Sequence, residues 1–374
     1  MDAVALEAPL VRIEHLTKEF VTSDTWVDRI RGRARRVLHA VDDVSLEIYR
    51  GEVLALVGET GSGKSTLGRS LVGFHTPTAG RIFYEDVELT ALSDAQRREI
   101  KPRIQMIFQN PYASLNPRMK VVDILTEPLT VHGKLPTEQA RARATELLNL
   151  VGLPASAQDK FPSQFSGGQR QRLSIARALA VDPRFIVADE PVSALDVSIQ
   201  AQILGVLSDV QQRLGLTILF ITHDLSVVRY LAVRVAVMYL GRIVELAPVE
   251  ELFRRPRHPY SRALLEAVPS LEPASGFWDA EPLPGEIPSS FARPAGCHFN
   301  PRCRFVRSGC LQEDPVLTEV APGHASACWA DIDPTRFASW APVAKGAAAL
   351  DEADGRLVAR GRATPRGERP VTAP

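Results

Sequence analysis

The chain has 374 residues, of which 45% are hydrophobic and 24% charged, and its 44 basic residues balance its 44 acidic residues. This composition is typical of a soluble protein, and the neutral net charge argues against a general attraction to nucleic acid or to an anionic membrane. No apolar run approaches the roughly 20 residues that span a bilayer. The first residues also lack the positive charge of an export signal. We therefore expect a cytoplasmic chain with one large domain and additional segments.

The first third of the chain contains short apolar runs bounded by polar residues and glycine. Such runs at residues 11–16, 44–48 and 53–57 predict strands. A basic stretch over residues 21–40 separates the first two strands. This stretch is interpreted either as a solvated surface insertion or as a contact with anionic lipid or a partner.

The segment GETGSGKST follows the third predicted strand directly, and its spacing is that of the phosphate-binding loop G-x-x-x-x-G-K-[ST]. The three glycines let the backbone curl so that its N–H groups point at phosphate oxygens. The lysine would reach the β- and γ-phosphates, and the serine hydroxyl would ligate Mg²⁺. The sequence therefore predicts a site for ATP and Mg²⁺ at nine residues: Gly58, Glu59, Thr60, Gly61, Ser62, Gly63, Lys64, Ser65 and Thr66.

The middle of the chain alternates between helical and strand patterns. This alternation is typical of an α/β fold with a mainly parallel sheet. Thr137 is a candidate N-cap for the first of the helices, which Gly152 and Pro154 would end. Helices are predicted at 137–151, 168–180, 198–214 and from 225, and strands at 185–189, 217–222, 234–240 and 242–247.

Two acidic residues end the most apolar of these strands, FIVAD. A continuous apolar run suits a strand that is buried on both faces of a parallel sheet. Asp189 would then lie on the Mg²⁺ side of the site, and Glu190 would orient or deprotonate an attacking water. We therefore predict that Asp189 contributes to the metal site and that Glu190 is catalytic.

The segment FSGGQRQR predicts a second phosphate-binding helix end. Its first polar residues, Ser166, Gly167, Gly168 and Gln169, would leave backbone N–H groups free at the start of a helix. One chain cannot easily apply two such ends to one nucleotide, whereas a pair of chains can. Each chain would then offer this helix end to the γ-phosphate that the other chain holds.

Together these motifs resemble the nucleotide-binding subunits of ABC transporters, whose signature is LSGGQ. Phe165 replaces the leucine here, as is common in the oligopeptide/dipeptide branch. The resemblance implies a P-loop NTPase of the ABC type, with a RecA-like core, an antiparallel β part at the N-terminal side and a helical subdomain. It also implies that Gln109 contacts Mg²⁺ or water, that residues 193–196 cross a dimer interface, and that His223 contacts the γ-phosphate. Phe20 would stack on adenine, although it could instead be a core residue.

The C-terminal part carries a more specific resemblance. The segments HPYSRALLEAVP and GCHFNPRCRF, with two later cysteines, resemble the C-terminal region of peptide- and nickel-importer ATPases. The four cysteines contain no C-x₂-C pair, so an ordinary zinc ribbon is not predicted. Four thiolates suit a 4Fe–4S cluster or zinc, and their irregular spacing favours the cluster; they could also be reduced residues that pack as small hydrophobes. The candidate ligands are Cys297, Cys303, Cys310 and Cys328.

These patterns predict three parts of the chain. We expect a nucleotide-binding domain over residues 1–270, with its helical subdomain at about residues 110–182. A cysteine-containing C-terminal region is expected over residues 271–335. Residues 336–374 have the composition of a disordered tail.

The resemblance implies an ATPase that powers the import of dipeptides, oligopeptides or related solutes such as nickel complexes. The implied partners are a second ATPase subunit, either a related chain or another copy, two membrane permeases and an extracytoplasmic substrate-binding protein. The chain would then lie at the cytoplasmic face of the membrane through its permeases. The alternative is a soluble ABC ATPase of translation or DNA repair. A single cassette, the lack of an inserted coiled coil and the neutral charge disfavour it, and no nucleic-acid partner is expected.

Overall fold

A computed structural model describes residues 8–22, 36–111, 114–131, 136–193, 195–267, 285–343, 348–350 and 357–359. Its strands, in chain order, are β1 (Pro9–Thr22), β2 (Arg36–Tyr49), β3 (Val53–Val57), β4 (Ala79–Tyr84), β5 (Val87–Glu88), β6 (Ile104–Ile107), β7 (Phe185–Asp189), β8 (Thr217–Thr222), β9 (Arg234–Tyr239), β10 (Arg242–Pro248), β11 (Thr318–Ala321), β12 (His324–Ser326), β13 (Ala348–Leu350) and β14 (Leu357–Ala359).

The helices are α1 (Lys64–Val72), α2 (Asp94–Ile100), α3 (Val121–Val131), α4 (Thr137–Leu150), α5 (Gly167–Leu179), α6 (Val197–Leu214), α7 (Leu225–Leu231), α8 (Val249–Arg254), α9 (Pro259–Glu266), α10 (Trp329–Ile332) and α11 (Pro334–Ser339). In the described ranges, no helix combines the length and the apolar character that a membrane span requires.

The main sheet has eight strands in the order β11-β12-β10-β9-β3-β8-β7-β6. Strands β9, β3, β8, β7 and β6 are parallel, whereas β10, β12 and β11 continue the sheet in antiparallel pairs. Every residue of β3, β7 and β8 is buried, as expected for parallel strands that are covered on both faces. The predicted α/β fold with a mainly parallel sheet is therefore confirmed.

A second, antiparallel sheet has the order β2-β1-β4-β5 and confirms the expected β part at the N-terminal side. Its apolar side chains form a common core with residues of β3 and β8. Strand β1 is much longer than residues 11–16, because register shifts let it pair with both β2 and β4.

Residues 36–40 of the basic stretch are part of β2 and not of a surface insertion, and they pair with the end of β1. Residues 23–35 of this stretch lie outside the described residues. For these residues, the choice between a solvated insertion and a contact with lipid or a partner stays a prediction.

The helices α3, α4 and α5 pack together around one apolar core that also includes the buried faces of β7 and β8. The predicted helix 137–151 begins at Thr137 as expected, but the N-cap is Pro136. The assignment of Thr137 as N-cap is therefore wrong by one residue. The proline occupies the extended conformation that a cap needs, with φ −60° and ψ 154°. The proposed limits of the helical subdomain stay a prediction.

The C-terminal region is less irregular than its proline-rich sequence suggests. Strand β12 pairs with β10 through Glu245 with Ser326 and Leu246 with Ala325, so this region extends the main sheet. Residues 336–339 belong to α11, and Pro342 forms a β-bridge with Arg307, although the sequence predicts a disordered tail from residue 336. Beyond residue 343 the structure describes only β13 and β14, so the tail prediction falls mostly outside the described residues.

Candidate nucleotide-binding site

The predicted phosphate-binding loop joins β3 to α1 at the carboxyl end of the parallel strands. Its last glycine, Gly63, has φ 106° and is the N-cap of α1. A Cβ atom there would lie 2.1 Å from the carbonyl oxygen of Ala40, so only glycine fits against the neighbouring strand. The helix therefore begins at Lys64, with its first N–H groups directed at the loop.

The side chain of Lys64 is folded back into this loop and is 4% exposed. Its Nζ donates to the carbonyl oxygens of Gly58 at 2.7 Å and Glu59 at 2.9 Å. Burial lowers the pKa of Lys64, while the carboxylates of Glu190, Asp189 and Glu59 act in the opposite direction. An ammonium group held by loop oxygens can exchange them for phosphate oxygens.

Asp189 ends β7 beside the start of α1. Its Oδ1 accepts a hydrogen bond of 2.7 Å from Ser65 Oγ. Its buried Oδ2 has no hydrogen-bond partner among the described residues, and Arg69 Nη2 lies 3.7 Å from it. Burial raises the pKa of Asp189, and the hydrogen bond from Ser65 opposes this rise. A hydroxyl and a carboxylate with an unpartnered oxygen form an oxygen donor set that fits Mg²⁺.

The next residue, Glu190, connects two other predicted site residues. Its Oε2 accepts from Gln109 Nε2 at 2.8 Å, and its Oε1 lies 3.3 Å from His223 Nδ1. Glu190 has φ 45°, a left-handed conformation uncommon outside glycine. The fold therefore brings together three side chains from the ends of β6, β7 and β8. The carboxylate of Glu190 lies at their centre and is close enough to Lys64 to oppose the lowering of its pKa.

The predicted signature residues form the start of α5. Ser166 is the N-cap, and its Oγ accepts from the N–H of Gln169 at 3.3 Å. The N–H of Ser166 donates to Gln169 Oε1 at 3.1 Å. Gly168 is buried, and a Cβ atom there would lie 2.5 Å from Ile199 Cγ2. These hydrogen bonds close within the helix end, and in the described part of the chain none joins it to residues 58–66.

Phe165 and Phe20 occupy different environments. Phe165 is buried in the core of the helical part, which agrees with its expected packing role. Phe20 is only half-buried near the end of β1, and its ring packs edge-on against His75 at 5.3 Å with Lys18 Nζ 4.9 Å above it. The alternative that Phe20 is a core residue is therefore not supported. A partly open aromatic ring is compatible with base stacking.

Sequence reasoning missed two residues that contact the loop from later in the chain, one in α9 and one in the cysteine-containing C-terminal region. The N–H of Glu59 donates to Tyr260 Oη at 2.8 Å. The carboxylate of Glu59 accepts two hydrogen bonds from Arg302, at 2.6 and 3.1 Å. These partners lie 201 and 243 residues from Glu59 in the chain, so no local pattern could have indicated them.

The four cysteines line one cavity of about 210 Å³. Burial raises the pKa of Cys303 to about 11 and that of Cys328 to about 12, so these thiols are protonated near neutral pH. Within the described ranges, no group of three or more His, Cys, Asp or Glu side chains is placed to hold a metal ion. The expected 4Fe–4S cluster or zinc is therefore not supported, although thiols are donors of the right type.

Family models and relatives match most of the chain. The model described as "ABC transporter" matches residues 41–193, and "Oligopeptide/dipeptide transporter, C-terminal region" matches residues 244–310. A protein from Brucella ovis whose name describes a peptide import ATP-binding protein is 48% identical to this chain. The match covers 87% of this chain and 99% of that protein. The dipeptide transport ATP-binding protein DppF of Escherichia coli is 45% identical over 88% of this chain and 98% of its own length.

Solved structures agree with these matches. The dimeric ATP-binding cassette MJ0796, bound to ADP and Pi after hydrolysis, aligns with a TM-score of 0.56 at 29% identity, over 64% of this chain and 98% of that one. The cbiO1 protein of Clostridium perfringens aligns with a TM-score of 0.57 at 29% identity, over 67% of this chain and 92% of that one. This chain belongs to the ABC transporter family of ATPases, in the branch with the oligopeptide/dipeptide transporter C-terminal region.

Proposed function

We propose that this chain binds and hydrolyses ATP to power an importer of dipeptides, oligopeptides or related small solutes such as nickel complexes. The observation that carries this proposal is that a nucleotide loop and a peptide-transporter C-terminal region meet in one chain at Glu59. The relatives named for peptide import and dipeptide transport support the same cargo class. Their names give no support to the alternative of a soluble ATPase in translation or DNA repair.

Binding of ATP is assigned to the loop and to Phe20. Lys64 would exchange the carbonyl oxygens of Gly58 and Glu59 for the β- and γ-phosphates, while backbone N–H groups of residues 58–66 hold the remaining oxygens. Ser65 and Asp189 would hold Mg²⁺, with Gln109 at its edge. When bound, the ion neutralises charge that develops on the transferring phosphoryl group. Phe20 would stack on the adenine.

Hydrolysis is assigned to the cluster around Glu190. Its carboxylate would orient or deprotonate the attacking water, and His223 would contact the γ-phosphate from the end of β8. Gln109 and His223 contact the two carboxylate oxygens of Glu190, so they set its orientation before the nucleotide is in place.

The helix end at Ser166–Gln169 is assigned to the nucleotide of a facing chain. Its hydrogen bonds close within α5, which leaves the site at residues 58–66 incomplete in one chain. The related cassette MJ0796 is described as a dimer bound to ADP and Pi. We infer that two ATPase subunits, related chains or two copies, close around two ATP molecules, with residues 193–196 at their interface.

The remaining partners follow from the importer assignment. Two permease subunits would hold the ATPase pair at the cytoplasmic face of the membrane, and a substrate-binding protein would deliver the cargo from outside. The cbiO1 protein is described as part of a transporter complex, which supports membrane partners for this fold. Co-purification of the tagged chain with permeases tests this assignment. Salt-dependent co-sedimentation with ribosomes or DNA would instead support the soluble alternative.

The variant Glu190→Gln tests the catalytic assignment. It should bind ATP as the unaltered chain does but hydrolyse it at least about 10²-fold more slowly, because a positioned general base contributes 10²–10⁴-fold. Phosphate release and ATP binding are measured on the same preparations. The matched control is Glu250→Gln, which removes a carboxylate from an exposed ion pair with Arg229. Near-normal turnover of Glu190→Gln would refute the assignment.

For the cysteine cavity we propose the 4Fe–4S cluster, with zinc as the alternative metal. The support is the chemistry of four thiols around one cavity. Anaerobic purification followed by analysis of iron, sulfide and zinc decides the matter. Four irons and four sulfides per chain support the cluster. One zinc without iron supports the alternative, and absence of all three refutes both.

A further inference from the structure

Glu59, the second residue of the nucleotide loop, is held at two points by residues 244–310, the segment that matches the oligopeptide/dipeptide transporter C-terminal region and is called the C-terminal region below. Arg302 donates to both carboxylate oxygens of Glu59 at 2.6 and 3.1 Å, and Tyr260 accepts a hydrogen bond of 2.8 Å from its N–H. Arg302 is 5% exposed and Tyr260 is fully buried. A two-pronged contact between a guanidinium and a carboxylate fixes direction as well as distance.

Both partners belong to well-anchored segments. Arg302 lies in a 3₁₀ turn, Asn300–Arg302, between Cys297 and Cys303. The rings of Tyr239, Tyr260 and Phe299 pack on one another with centroid distances of 4.6 to 5.5 Å. This aromatic group belongs to the same apolar cluster as Cys297 and Cys303. The residues that contact Glu59 are therefore packed against residues that line the cysteine cavity, among them Phe299.

Glu59 is also in direct contact with the phosphate-binding lysine. Its carbonyl oxygen accepts from Lys64 Nζ at 2.9 Å and from the N–H of Ser62 at 3.2 Å. A displacement of Glu59 would therefore displace an oxygen with which phosphate must compete for Lys64. Glu59 therefore connects Arg302, through its carboxylate, to the ammonium group that would bind ATP, through its carbonyl oxygen.

We propose that Arg302 and Tyr260 are positioning residues for the nucleotide loop, and that the C-terminal region sets the affinity for ATP through Glu59 and Lys64. This inference rests on the proposed nucleotide site at residues 58–66. It assigns the C-terminal region a regulatory contact on that site in addition to its place in the sheet. Any change in the cysteine cavity that displaces the 3₁₀ turn would therefore also change the affinity for ATP, through Arg302, Glu59 and Lys64.

The test compares ATP binding and turnover in full-length variants. Arg302→Gln should weaken ATP binding and raise KM by about 5- to 10-fold, the lower range for coupled sites, with kcat at saturating ATP within about twofold. Glu59→Gln removes the ion pair between Arg302 and Glu59 by changing its more exposed partner. It should weaken ATP binding by a similar factor. The double variant should lose no more than either single variant, because both remove one interaction. Tyr260→Phe should weaken binding less, since only one hydrogen bond is lost.

Arg304→Gln is the matched control, because Arg304 lies two residues from Arg302 in the chain and pairs with Glu266 at 3.8 Å. The ATP affinity of this variant should equal that of the unaltered chain. Wild-type affinity in Arg302→Gln or Glu59→Gln would overturn the inference, as would additive losses in the double variant. If Arg302→Gln does not fold, the affinity of Glu59→Gln alone decides. Lys64→Ala separates the two proposals: if it binds ATP as tightly as wild type, the nucleotide site itself is wrongly placed.

Discussion

Gly63 illustrates how one residue can be fixed by two constraints at once. Its φ of 106° lies in a region that side-chain-bearing residues rarely adopt, and a Cβ atom would lie 2.1 Å from the oxygen of Ala40. Gly73, at the other end of α1, shares the first constraint with φ 85°, but a Cβ atom there would meet no atom of the described residues within 4 Å. The two positions therefore separate backbone strain from steric exclusion.

We predict that Gly63→Ala lowers the free energy of unfolding clearly more than Gly73→Ala. Backbone strain costs of order 1–3 kcal/mol at either site, and only Gly63→Ala must also push β2 away from the loop. Gly63→Ala should in addition abolish ATP binding, because the backbone ahead of Lys64 shifts. Denaturant unfolding and ATP titration measure the two effects. Equal losses of stability in both variants would show that the contact with Ala40 relaxes without cost.

The residues of the site differ in how far the sequence could predict them. Lys64, Ser65 and Asp189 belong to short patterns whose spacing carries the chemistry, and the structure places them together. Arg302 and Tyr260 reach the same loop from more than 200 residues away. Their contacts depend on the docking of the C-terminal region, which local sequence patterns do not encode.

The same distinction applies to secondary-structure elements. The limits of β3, β7 and β8 are predicted to the residue, because strands buried on both faces are continuous apolar runs between polar residues. Strands β11 and β12 were not predicted, since they are short and β11 is partly exposed. Strand β12 forms by pairing with β10, and β11 by pairing with β12, so tertiary interactions override weak local preference.

Helix α9 depends on a buried histidine at its start. The Nδ1 atom of His258 accepts from the N–H of Tyr260 at 3.1 Å, and the N–H of His258 donates to Glu245 Oε2 at 2.9 Å. Burial lowers the pKa of His258 to about 4, although the Glu245 carboxylate opposes this shift. The folded protein therefore keeps this ring neutral at pH values where the unfolded chain, with a histidine pKa near 6.5, is protonated.

We predict that stability falls as the pH is lowered from about 6.5 to about 4. In this window the unfolded chain binds a proton at position 258 that the folded chain does not, which costs about 1.4 kcal/mol per pH unit. His258→Asn keeps an oxygen that can cap α9 but cannot titrate. The variant should therefore reduce the slope of stability against pH by about 1.4 kcal/mol per pH unit, the contribution of one proton. Urea unfolding at several pH values measures the slope. An unchanged slope in His258→Asn would mean that another group, such as buried His298, dominates.

At the scale of the whole molecule, the described residues include two helix ends suited to phosphate, and no hydrogen bond among these residues joins one end to the other. One is the loop at Lys64 at the start of α1, and the other is the capping box of Ser166 and Gln169 at the start of α5. A second chain that faces the first would bring each helix end to the nucleotide of its partner. Turnover should therefore depend on pairing, whereas binding of ATP to a single chain should not.

The variants Ser166→Ala and Ser93→Ala test this dependence with a matched design. Ser93 caps α2 with the same kind of box, formed with Gln96, but lies outside both phosphate-binding ends. Each substitution removes an N-cap worth about 1 kcal/mol, so the two variants should lose similar stability. Only Ser166→Ala should lose turnover, by about 10-fold or more, because it also removes a hydroxyl from the helix end that closes over the partner's γ-phosphate. ATPase rates measured over a range of protein concentrations, with ATP binding measured in parallel, distinguish the outcomes. Equal turnover in the two variants would contradict the shared site, because the helix end at Ser166 would then contribute no more to hydrolysis than an ordinary cap.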